Sequence, residues 1–260
     1  MPRLQPFTKA SKGDVSTHVL VTSLEEVYTE AVSRLHDVVE RAGQPGFRLA
    51  TGKTHGLRLS VALRPVGPSA LAILLEELAR LGARVVLSLD TGLALAPRLA
   101  IGHAVLAAAS IKGDGVSKTY SPPEVPAIAD FELLRHIQQT LEIHNVQITT
   151  GLVWSVDSFY VSEQMLEQGV RSYGKLALAL DMDTAALYSV SMARKIQSAS
   201  VLVIESSLPR GIERGLVYQA SEELHTRVLE SFGKLLRPLL EALALHMEKS
   251  KSRLRQASVA

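Results

Sequence analysis

The stretch that most constrains the fold is residues 59–95, which reads as strand, turn, helix, strand and a second turn. Pro68 follows Gly67 at the expected helix start, and Gly82 stands at the expected end. A strand that enters a helix through glycine and leads to a second strand predicts an α/β fold, in which ligands bind at the carboxyl edge of the sheet. The apolar residues between the glycines have the i, i+3, i+4, i+7 spacing of one helix face and are Leu71, Leu74, Leu75, Leu78 and Leu81.

The composition is that of a folded domain with an ample core. Of the 260 residues 47% are hydrophobic and 21% charged, and 28 basic residues nearly balance 26 acidic ones. Because the charges are well mixed, we expect no binding to nucleic acid. No segment approaches the length of an apolar membrane span and the amino terminus lacks a signal-like core, so we expect a cytoplasmic protein that does not enter membranes.

Metal and thiol chemistry have no support in the sequence. Cysteine is absent, which excludes disulfides, thiolate metal sites and cysteine nucleophiles. The eight histidines show neither HxH nor HExxH spacing. The sequence also lacks GxSxG, P-loop and GxGxxG motifs. We therefore predict that the protein uses neither a metal nor a cofactor.

Strand and helix signals alternate along the chain without a repeat or a linker, so we predict a single domain over residues 1–260. Its terminal segments, 1–12 and 249–260, are predicted to be flexible tails. A turn-rich loop at 112–126 is long for a compact domain, and we expect it to contact either a ligand or another subunit.

Local signals predict the remaining elements. Ser23 and Glu26 have the spacing of a capping box, which predicts a helix running to about Arg41. Further strands are predicted at 18–21, 47–50, 57–63, 104–111, 146–154 and 199–204, and further helices at 127–144, 181–196 and 219–248.

Three predicted strand ends carry polar side chains and form the candidate site. The one at Asp90 could also belong to a βαβ unit of the core that binds no ligand. A carboxylate at a helix start is ordinarily an N-cap, which gives Asp181 a structural explanation. Asp183, two residues further on, would accept hydrogen bonds from ligand hydroxyls. Trp154, the single tryptophan, suits either a core position or a stacking platform for a flat ring. The three strand ends are Asp90-Thr91-Gly92, Asp181-Met182-Asp183 and Glu205-Ser206.

Six collinear segments resemble those of the nucleoside phosphorylase family, which includes the purine nucleoside and uridine phosphorylases. The resemblance implies a single α/β domain with a distorted mixed central sheet flanked by helices, assembled as dimers within a hexamer. It also implies the family reaction, which is cleavage of a ribosyl C1′–N bond by phosphate. The resemblance covers the chain from about Lys12 to Leu240. The six segments are VGPSALAILLEELARLGARVV, DTGLALAP, DGVSKTYSPPEVPAIADFELL, WSVDSFY, DMDTAALY and VLVIESS.

The resemblance implies that the nucleoside half of the site is partly retained. Trp154 stands where the family stacks a phenylalanine on the base, and Met182 where a methionine packs on the ribose. Asp181 and Asp183 replace two glutamates, of which the second holds the ribose hydroxyls, and each aspartate has a reach roughly 1.5 Å shorter. Thr91 matches the Ser or Thr that touches phosphate.

The phosphate half of the site is largely replaced. The two anion-binding arginines of the family fall on Val27 and Ser88, and both residues lent by a neighbouring subunit are also changed. The aspartate that protonates a purine leaving group falls on Ser206, beside Glu205. These two residues are therefore the catalytic candidates.

The electrostatics of this half agree with that comparison. Asp90 stands where a glycine would let phosphate approach. A carboxylate about 4 Å from a phosphate repels it by roughly 4 kcal/mol per charge pair at an effective dielectric constant near 20. Arg64, or Arg98 from the next turn, is the candidate that would restore a cation to the site.

The leading interpretation is a nucleoside phosphorylase homologue with weak or no phosphorolysis, which binds a nucleoside or base as a sensor or supports an active paralogous subunit. One alternative is an active uridine or purine nucleoside phosphorylase with an anion site rebuilt around Arg64. Another is a nucleosidase that uses water, with Glu205 or Asp157 as acid or base. A purely structural subunit is the third.

Overall fold

The computed structural model describes residues 4–211 and 222–257. In these residues ten strands form one mixed sheet, and seven α-helices flank it. The predicted single α/β domain with a mixed central sheet is therefore confirmed. The strands are β1 His18–Thr22, β2 His36–Ala42, β3 Arg48–Thr54, β4 Leu57–Leu63, β5 Val85–Ala94, β6 Ala104–Lys112, β7 Ala127–Ile128, β8 Ile148–Ser155, β9 Ala179–Asp181 and β10 Gln197–Ser207. The helices are α1 Glu25–Ser33, α2 Pro68–Leu81, α3 Gly115–Tyr120, α4 Phe131–Ile143, α5 Glu163–Tyr173, α6 Thr184–Arg194 and α7 Glu222–Ala257.

The sheet is distorted because part of it closes on itself. β10 pairs with β5 in parallel and with β6 antiparallel, and the order β10-β6-β8-β9-β5 leads back to β10. From β5 the sheet continues through β1, β4 and β3 to β2. Because β1, β5 and β10 are mutually parallel, their carboxyl ends lie on the same side of the sheet. Residues at these ends can therefore form one site.

The helix predicted from leucine spacing is confirmed as α2. It starts directly after Gly67, whose φ is 110°, and is followed by Gly82, whose φ is 104°. Both angles lie in the region that favours glycine, which explains the glycine at each boundary. The leucine face is buried, and each buried leucine stabilises the fold by roughly 1.5–3 kcal/mol. Its fully buried members are Leu71, Leu74, Leu75 and Leu78.

The helix predicted to run to Arg41 is wrong in both its cap and its length. α1 ends at Ser33, and residues 36–42 instead form β2, which pairs with β3 in an antiparallel ladder. Sheet pairing thus overrides the helical periodicity of this segment. The Ser23 hydroxyl donates to Asp90 Oδ1 at 2.6 Å, so it does not complete the predicted capping box.

Three other features differ from the sequence predictions. β5 runs through Asp90-Thr91-Gly92 to Ala94, so this segment lies inside a strand rather than in a turn after it. The predicted loop at 112–126 contains α3, where Asp114 Oδ1 accepts the Ser117 amide at 2.6 Å. The sequence patterns did not predict α5, a mostly exposed helix in which Gly169 is buried.

The described part of the amino-terminal segment contacts α2. The buried carboxylate of Glu77 accepts the amides of Phe7 and Thr8, both at 2.8 Å, and the Thr8 hydroxyl at 2.7 Å. Residues 1–3 and 258–260 of the predicted tails, and 219–221 of the predicted last helix, lie outside the described residues. Flexibility of the two tails stays a prediction. Among the described helices, none has the length and apolarity needed to span a membrane.

Candidate functional site

A buried arginine connects two of the three strand ends singled out in the sequence. Arg64 follows β4, and its side chain has no solvent exposure. Its Nη2 donates to Asp90 Oδ2 at 3.0 Å and to Asp183 Oδ2 at 2.7 Å, while Nη1 donates to the Pro65 carbonyl at 3.0 Å. Burial lowers the pKa of Arg64, but the charges of Asp183 and Asp90 outweigh burial and raise it. The guanidinium is therefore a permanent cation shared by two carboxylates.

Asp90 collects hydrogen-bond donors from three parts of the chain. Its Oδ1 accepts the Ser23 amide at 2.8 Å and the Ser23 hydroxyl at 2.6 Å. Its Oδ2 accepts the Ser88 hydroxyl at 3.0 Å as well as Arg64. The register of β1 and β5 pairs Val21 with Ser88, so Ser23 and Asp90 each follow that pair by two residues. Sheet register thus brings these groups together.

Asp183 is the second carboxylate on Arg64. Its Oδ2 accepts from Arg64, whereas its buried Oδ1 has no hydrogen-bond partner among the described residues. Burial raises the pKa of Asp183 to about 6, which Arg64 opposes and the charges of Asp90 and Asp181 reinforce. Asp183 therefore offers an acceptor oxygen. The protonated form of this carboxyl is also more favourable in the buried cluster than it would be in water.

Asp181 holds the start of α6. Its Oδ2 accepts the Thr184 amide at 2.8 Å, the Thr184 hydroxyl at 2.6 Å and the Asp183 amide at 3.2 Å. Its Oδ1 accepts from the Ser155 hydroxyl. Burial raises the pKa of Asp181, although these hydrogen bonds oppose the rise. These contacts are those of a helix cap, which is the structural alternative considered for Asp181.

A cavity of about 110 Å³ lies beside the Arg64 cluster. Ligand sites in proteins commonly measure roughly 300–1,000 Å³, so this space is smaller than a whole nucleoside requires. Four predicted site residues, Thr91, Met182, Asp183 and Glu205, meet in its wall. The complete lining is Ser23, Leu24, Val66, Asp90, Thr91, Phe159, Met182, Asp183 and Glu205.

Phe159, rather than Trp154, is the aromatic residue of this cavity. Trp154 is buried in a separate apolar cluster, with its ring centroid 5.3 Å from that of Tyr173. A Cβ placed on Gly169 of α5 would lie 1.7 Å from Trp154, so α5 packs tightly over the indole. Side chains alternate along a strand, and Ser155 next to Trp154 already faces Asp181. The core alternative therefore holds for Trp154.

The sequence analysis missed Phe159, although it lies in the WSVDSFY segment that carries part of the resemblance. The available signal was an aromatic residue in a short polar loop after β8. An aromatic side chain outside the regular elements is less readily explained by core packing than one inside a buried strand.

The two catalytic candidates are on β10, with Glu205 at an irregularity in the strand and Ser206 directly after it. The ladder with β5 pairs Ile204 with Gly92 and Ser206 with Leu93, so Glu205 is an extra residue in a β-bulge. Such bulges re-aim side chains, and Glu205 lines the cavity. Ser206 is fully buried, and its hydroxyl has no hydrogen-bond partner among residues 4–211 and 222–257.

Other residues considered in the sequence lie outside the cavity. Asp157 Oδ2 accepts the Gly115 amide at 3.0 Å at the start of α3. Arg98 lines a separate groove, together with Glu142 and Lys234. Within the described ranges, no group of three or more His, Asp or Glu side chains is arranged to hold a metal ion.

Comparisons with known proteins agree with this fold. A uridine phosphorylase of Thermococcus kodakarensis is 32% identical over 160 residues, which cover 62% of this chain and 58% of that protein. A guanosine phosphorylase of Halorubrum lacusprofundi is 23% identical over 241 residues, covering 92% and 98% of the two chains. The crystal structure of a uridine phosphorylase from Vibrio fischeri matches with a TM-score of 0.82 at 26% identity, covering 93% and 97%.

A sequence profile described as the phosphorylase superfamily matches residues 17–241, which include the described strands of the sheet and every residue of the cavity wall. Profile, relatives and architecture lead to the same assignment, and the chain belongs to the phosphorylase superfamily.

Proposed function

We propose that this chain binds a nucleoside, or its free base, in the cavity beside Arg64 and has weak or no phosphorolysis. The observation that carries this proposal is the occupation of Arg64 by Asp90 and Asp183. Phosphorolysis requires a site for a phosphate dianion. Here the buried Arg64 faces two carboxylates, so the three side chains together favour neutral or cationic ligands.

The cost of placing phosphate here follows from Coulomb's law. A dianion about 4 Å from Asp90 and Asp183 meets roughly 4 kcal/mol of repulsion per charge pair at an effective dielectric constant near 20, while Arg64 supplies one compensating attraction. The Ser23 amide and hydroxyl, which would be donors to an anion, are already bonded to Asp90. These contacts support loss of phosphate affinity.

The rest of the cavity suits a nucleoside. Phe159 offers an aromatic face for a flat base, and Met182 an apolar side chain for the sugar. The Asp183 Oδ1 atom, buried and without a partner among the described residues, would accept a hydrogen bond from a ribose hydroxyl. Thr91 adds a hydroxyl in the same wall.

The size of the cavity sets a condition on binding. A base or a pentose alone is compatible with about 110 Å³, whereas a whole nucleoside requires a lining side chain to move aside. Val66 is 58% exposed, so its displacement disturbs little packing. We expect nucleoside binding to be accompanied by opening of this wall.

The nature of the base and the assembly are further parts of the proposal. Relatives named uridine phosphorylase and guanosine phosphorylase support both pyrimidine and purine nucleosides as ligands to test. By resemblance we further propose self-association as a dimer or hexamer in the cytoplasm, either with itself or with an active paralogous subunit.

Catalysis without phosphate is the second candidate function. Glu205 is turned into the cavity by the bulge in β10, where it lies in the same wall as Asp183. A carboxyl group so placed could act as acid or base in hydrolysis of the glycosidic bond. An active phosphorylase, in contrast, would require Arg64 to exchange a carboxylate for phosphate.

The test is calorimetric titration with uridine, inosine and guanosine, with and without phosphate, combined with chromatography of the products. We expect binding that phosphate does not enhance, and loss of that binding in Asp183→Asn. Asp157→Asn, outside the cavity, is the matched control. Robust phosphate-dependent release of base would refute the proposal, whereas ribose released without phosphate would select the hydrolytic candidate.

A further inference from the structure

Three buried histidines meet where α7 packs against β1 and α4. His18, His136 and His246 are 3%, 4% and 2% exposed. The His246 ring centroid lies 5.4 Å from that of His18 and 5.3 Å from that of His136. Lys249, three residues further along α7, contacts His136, and we call these four side chains the histidine cluster. The match to the superfamily profile ends at residue 241, so His246 and Lys249 lie beyond it.

Two hydrogen bonds of the cluster join α7 to its neighbours, and each needs a ring nitrogen without a proton. A lysine ammonium has only donors, so His136 Nε2 accepts from Lys249 Nζ at 3.1 Å, and a proton on this nitrogen would break the bond. Thr17 Oγ1 lies 3.1 Å from His18 Nδ1, and the other nitrogen of this ring, Nε2, lies 3.2 Å from His246 Nδ1. This second contact fails once both rings are charged, because an imidazolium has no acceptor. Full protonation of the cluster therefore removes both bonds to α7.

The surroundings of the His136 ring oppose its protonation. Burial lowers the pKa of His136, and the charges of Lys249 and His246 lower it further. Of its charged neighbours on α4, Arg135 also lowers the pKa of His136, whereas Glu132 raises it. The Nδ1 atom of His136 is buried and has no hydrogen-bond partner among the described residues. If the end of α7 separates and the ring meets water, it therefore takes up a proton more readily than in the packed form.

A neighbouring contact between α4 and α7 responds to acid in the opposite sense. His144 Nε2 lies 2.9 Å from Glu241 Oε2. A proton on His144 turns this hydrogen bond into an ion pair, so acid strengthens it. We therefore expect α7 to stay in place up to Glu241 and to separate after it. The buried residues in the separating part are Ala242, Leu243, Ala244, His246 and Met247.

Of the three elements that meet in the cluster, α7 is the one that can move. β1 is hydrogen-bonded to β4 on one side and to β5 on the other. α4 is joined in the chain to β7 before it and to β8 after it. Residues 242–249 belong to a helix, whose backbone hydrogen bonds are internal, so they contact the sheet through side chains. Their release breaks no strand pairing.

We propose that the histidine cluster is an acid-sensitive switch, which holds residues 242–249 of α7 against β1 and α4 at neutral pH and releases them in mildly acidic solution. The release exposes Leu243 and Met247, which are buried in the packed form. The inference is independent of the proposed function, since none of the four side chains lines the cavity beside Arg64.

The test measures how fast a reagent labels single introduced cysteines, because the chain contains no cysteine of its own. Met247→Cys reports release of the segment, and Val228→Cys, 1% exposed on α7 ahead of Glu241, reports opening of the whole fold. Val39→Cys, 57% exposed on β2, gives the pH dependence of the reagent itself. All three are labelled with 4,4′-dithiodipyridine, which also reacts in acid, at about pH 7.5 and about pH 5.5, on either side of the usual histidine titration.

Relative to Val39→Cys, labelling of Met247→Cys should rise about tenfold at the lower pH, because an opening that takes up one proton becomes tenfold more populated per pH unit below about 6.5. Labelling of Val228→Cys should rise much less. An equal rise at both positions would mean that acid opens the whole fold, and no rise at Met247→Cys would mean that the segment stays packed. Either result overturns the inference. Ala244→Cys, 4% exposed in the same segment, replaces Met247→Cys should that variant not fold.

Glutamine variants test whether the histidines sense the acid. His136→Gln/His246→Gln, combined with the cysteine in the segment, keeps polar side chains that do not titrate and should lose most of the rise in labelling. His36→Gln, exposed on β2, is the matched control and should retain it. If the double variant does not fold, the two single variants are compared, and each should show a smaller rise than the unsubstituted background. A rise that is unchanged in the folded glutamine variants would overturn the inference.

Discussion

The Arg64 Nη2 atom lies 2.7 Å from Asp183 Oδ2, although the two residues are 119 positions apart in the sequence. The pair joins the segment after β4 to the start of α6, and Asp90 of β5 bonds to the same nitrogen. One buried cation therefore connects three elements and bridges two carboxylates that would otherwise face each other. We expect both the stability of the cluster and the proposed ligand preference of the cavity to depend on this arrangement.

Replacing Arg64 with methionine should lower the free energy of unfolding by about 3–5 kcal/mol. The reason is that Asp90 and Asp183 would remain buried without their cation. Urea denaturation followed by circular dichroism measures the change. Arg171→Met is the matched control, since that side chain is 81% exposed and should contribute less than about 0.5 kcal/mol. Equal effects of the two substitutions would contradict the buried ion pair.

Asp183 should make the fold less stable as pH rises from about 4 to about 6. Burial raises the pKa of Asp183 to about 6 from its usual 3.8. Between these values the unfolded chain has released the proton and the folded chain still holds it. The free energy of unfolding should therefore fall with rising pH by up to about 3 kcal/mol. Urea titrations across this range should show a larger decrease in the unmodified chain than in Asp183→Asn, where Asp181, whose pKa is also raised by burial, still contributes.

His136 should have the opposite dependence on pH. Its ring is buried, and its Nε2 lies 3.1 Å from Nζ of Lys249. Burial lowers the pKa of His136, and the charges of Lys249 and His246 lower it further. The unfolded chain then binds a proton more readily than the folded chain, so stability should fall as pH drops below about 6.5.

The same denaturation series tests this effect in His136→Gln, which should show a shallower loss of stability in acid. His36→Gln is the control because His36 is exposed on β2. A pH profile of His136→Gln that coincides with that of the unmodified chain would argue against the role of the buried ring.

Phe159 and Trp154 should respond differently to alanine. Phe159→Ala should weaken nucleoside binding by about 1–3 kcal/mol, the range of base–aromatic stacking, with little effect on stability. Trp154→Ala should instead lower the free energy of unfolding by about 3–5 kcal/mol, because it empties a core position. Calorimetry and urea denaturation measure the two effects, with Phe131→Ala, a phenylalanine of α4 that is 76% exposed, as the control. A reversed pattern would return the stacking role to Trp154.

Much of the fold could be predicted because its signals are local. The leucine spacing of α2 and its flanking glycines specify that helix without reference to the rest of the chain. The spacing of Ser23 and Glu26 is equally local and correctly predicted a helix, but not its cap, because Ser23 bonds to a carboxylate 67 positions away. A hydrogen bond of that kind depends on strand register, which a local pattern does not contain.

The site was predicted less completely for the same reason. Thr91, Met182, Asp183 and Glu205 could be selected because polar or functional residues at strand ends meet in α/β folds. The choice between a core and a stacking role for Trp154 depended on which face of β8 the indole occupies, and α5, which covers that face, was not predicted. The sequence also identified Arg64 as a cation without indicating that Asp90 and Asp183 would neutralise it.

The Glu77 carboxylate makes the beginning of the chain part of the folded structure. It is 3% exposed and accepts hydrogen bonds from Phe7 and Thr8. A shortened protein that begins after Thr8 would bury this charge without those donors. The unpaired carboxylate would destabilise α2, which starts next to Arg64. Fusion partners are therefore better attached ahead of the segment that contains Phe7 and Thr8 than substituted for it.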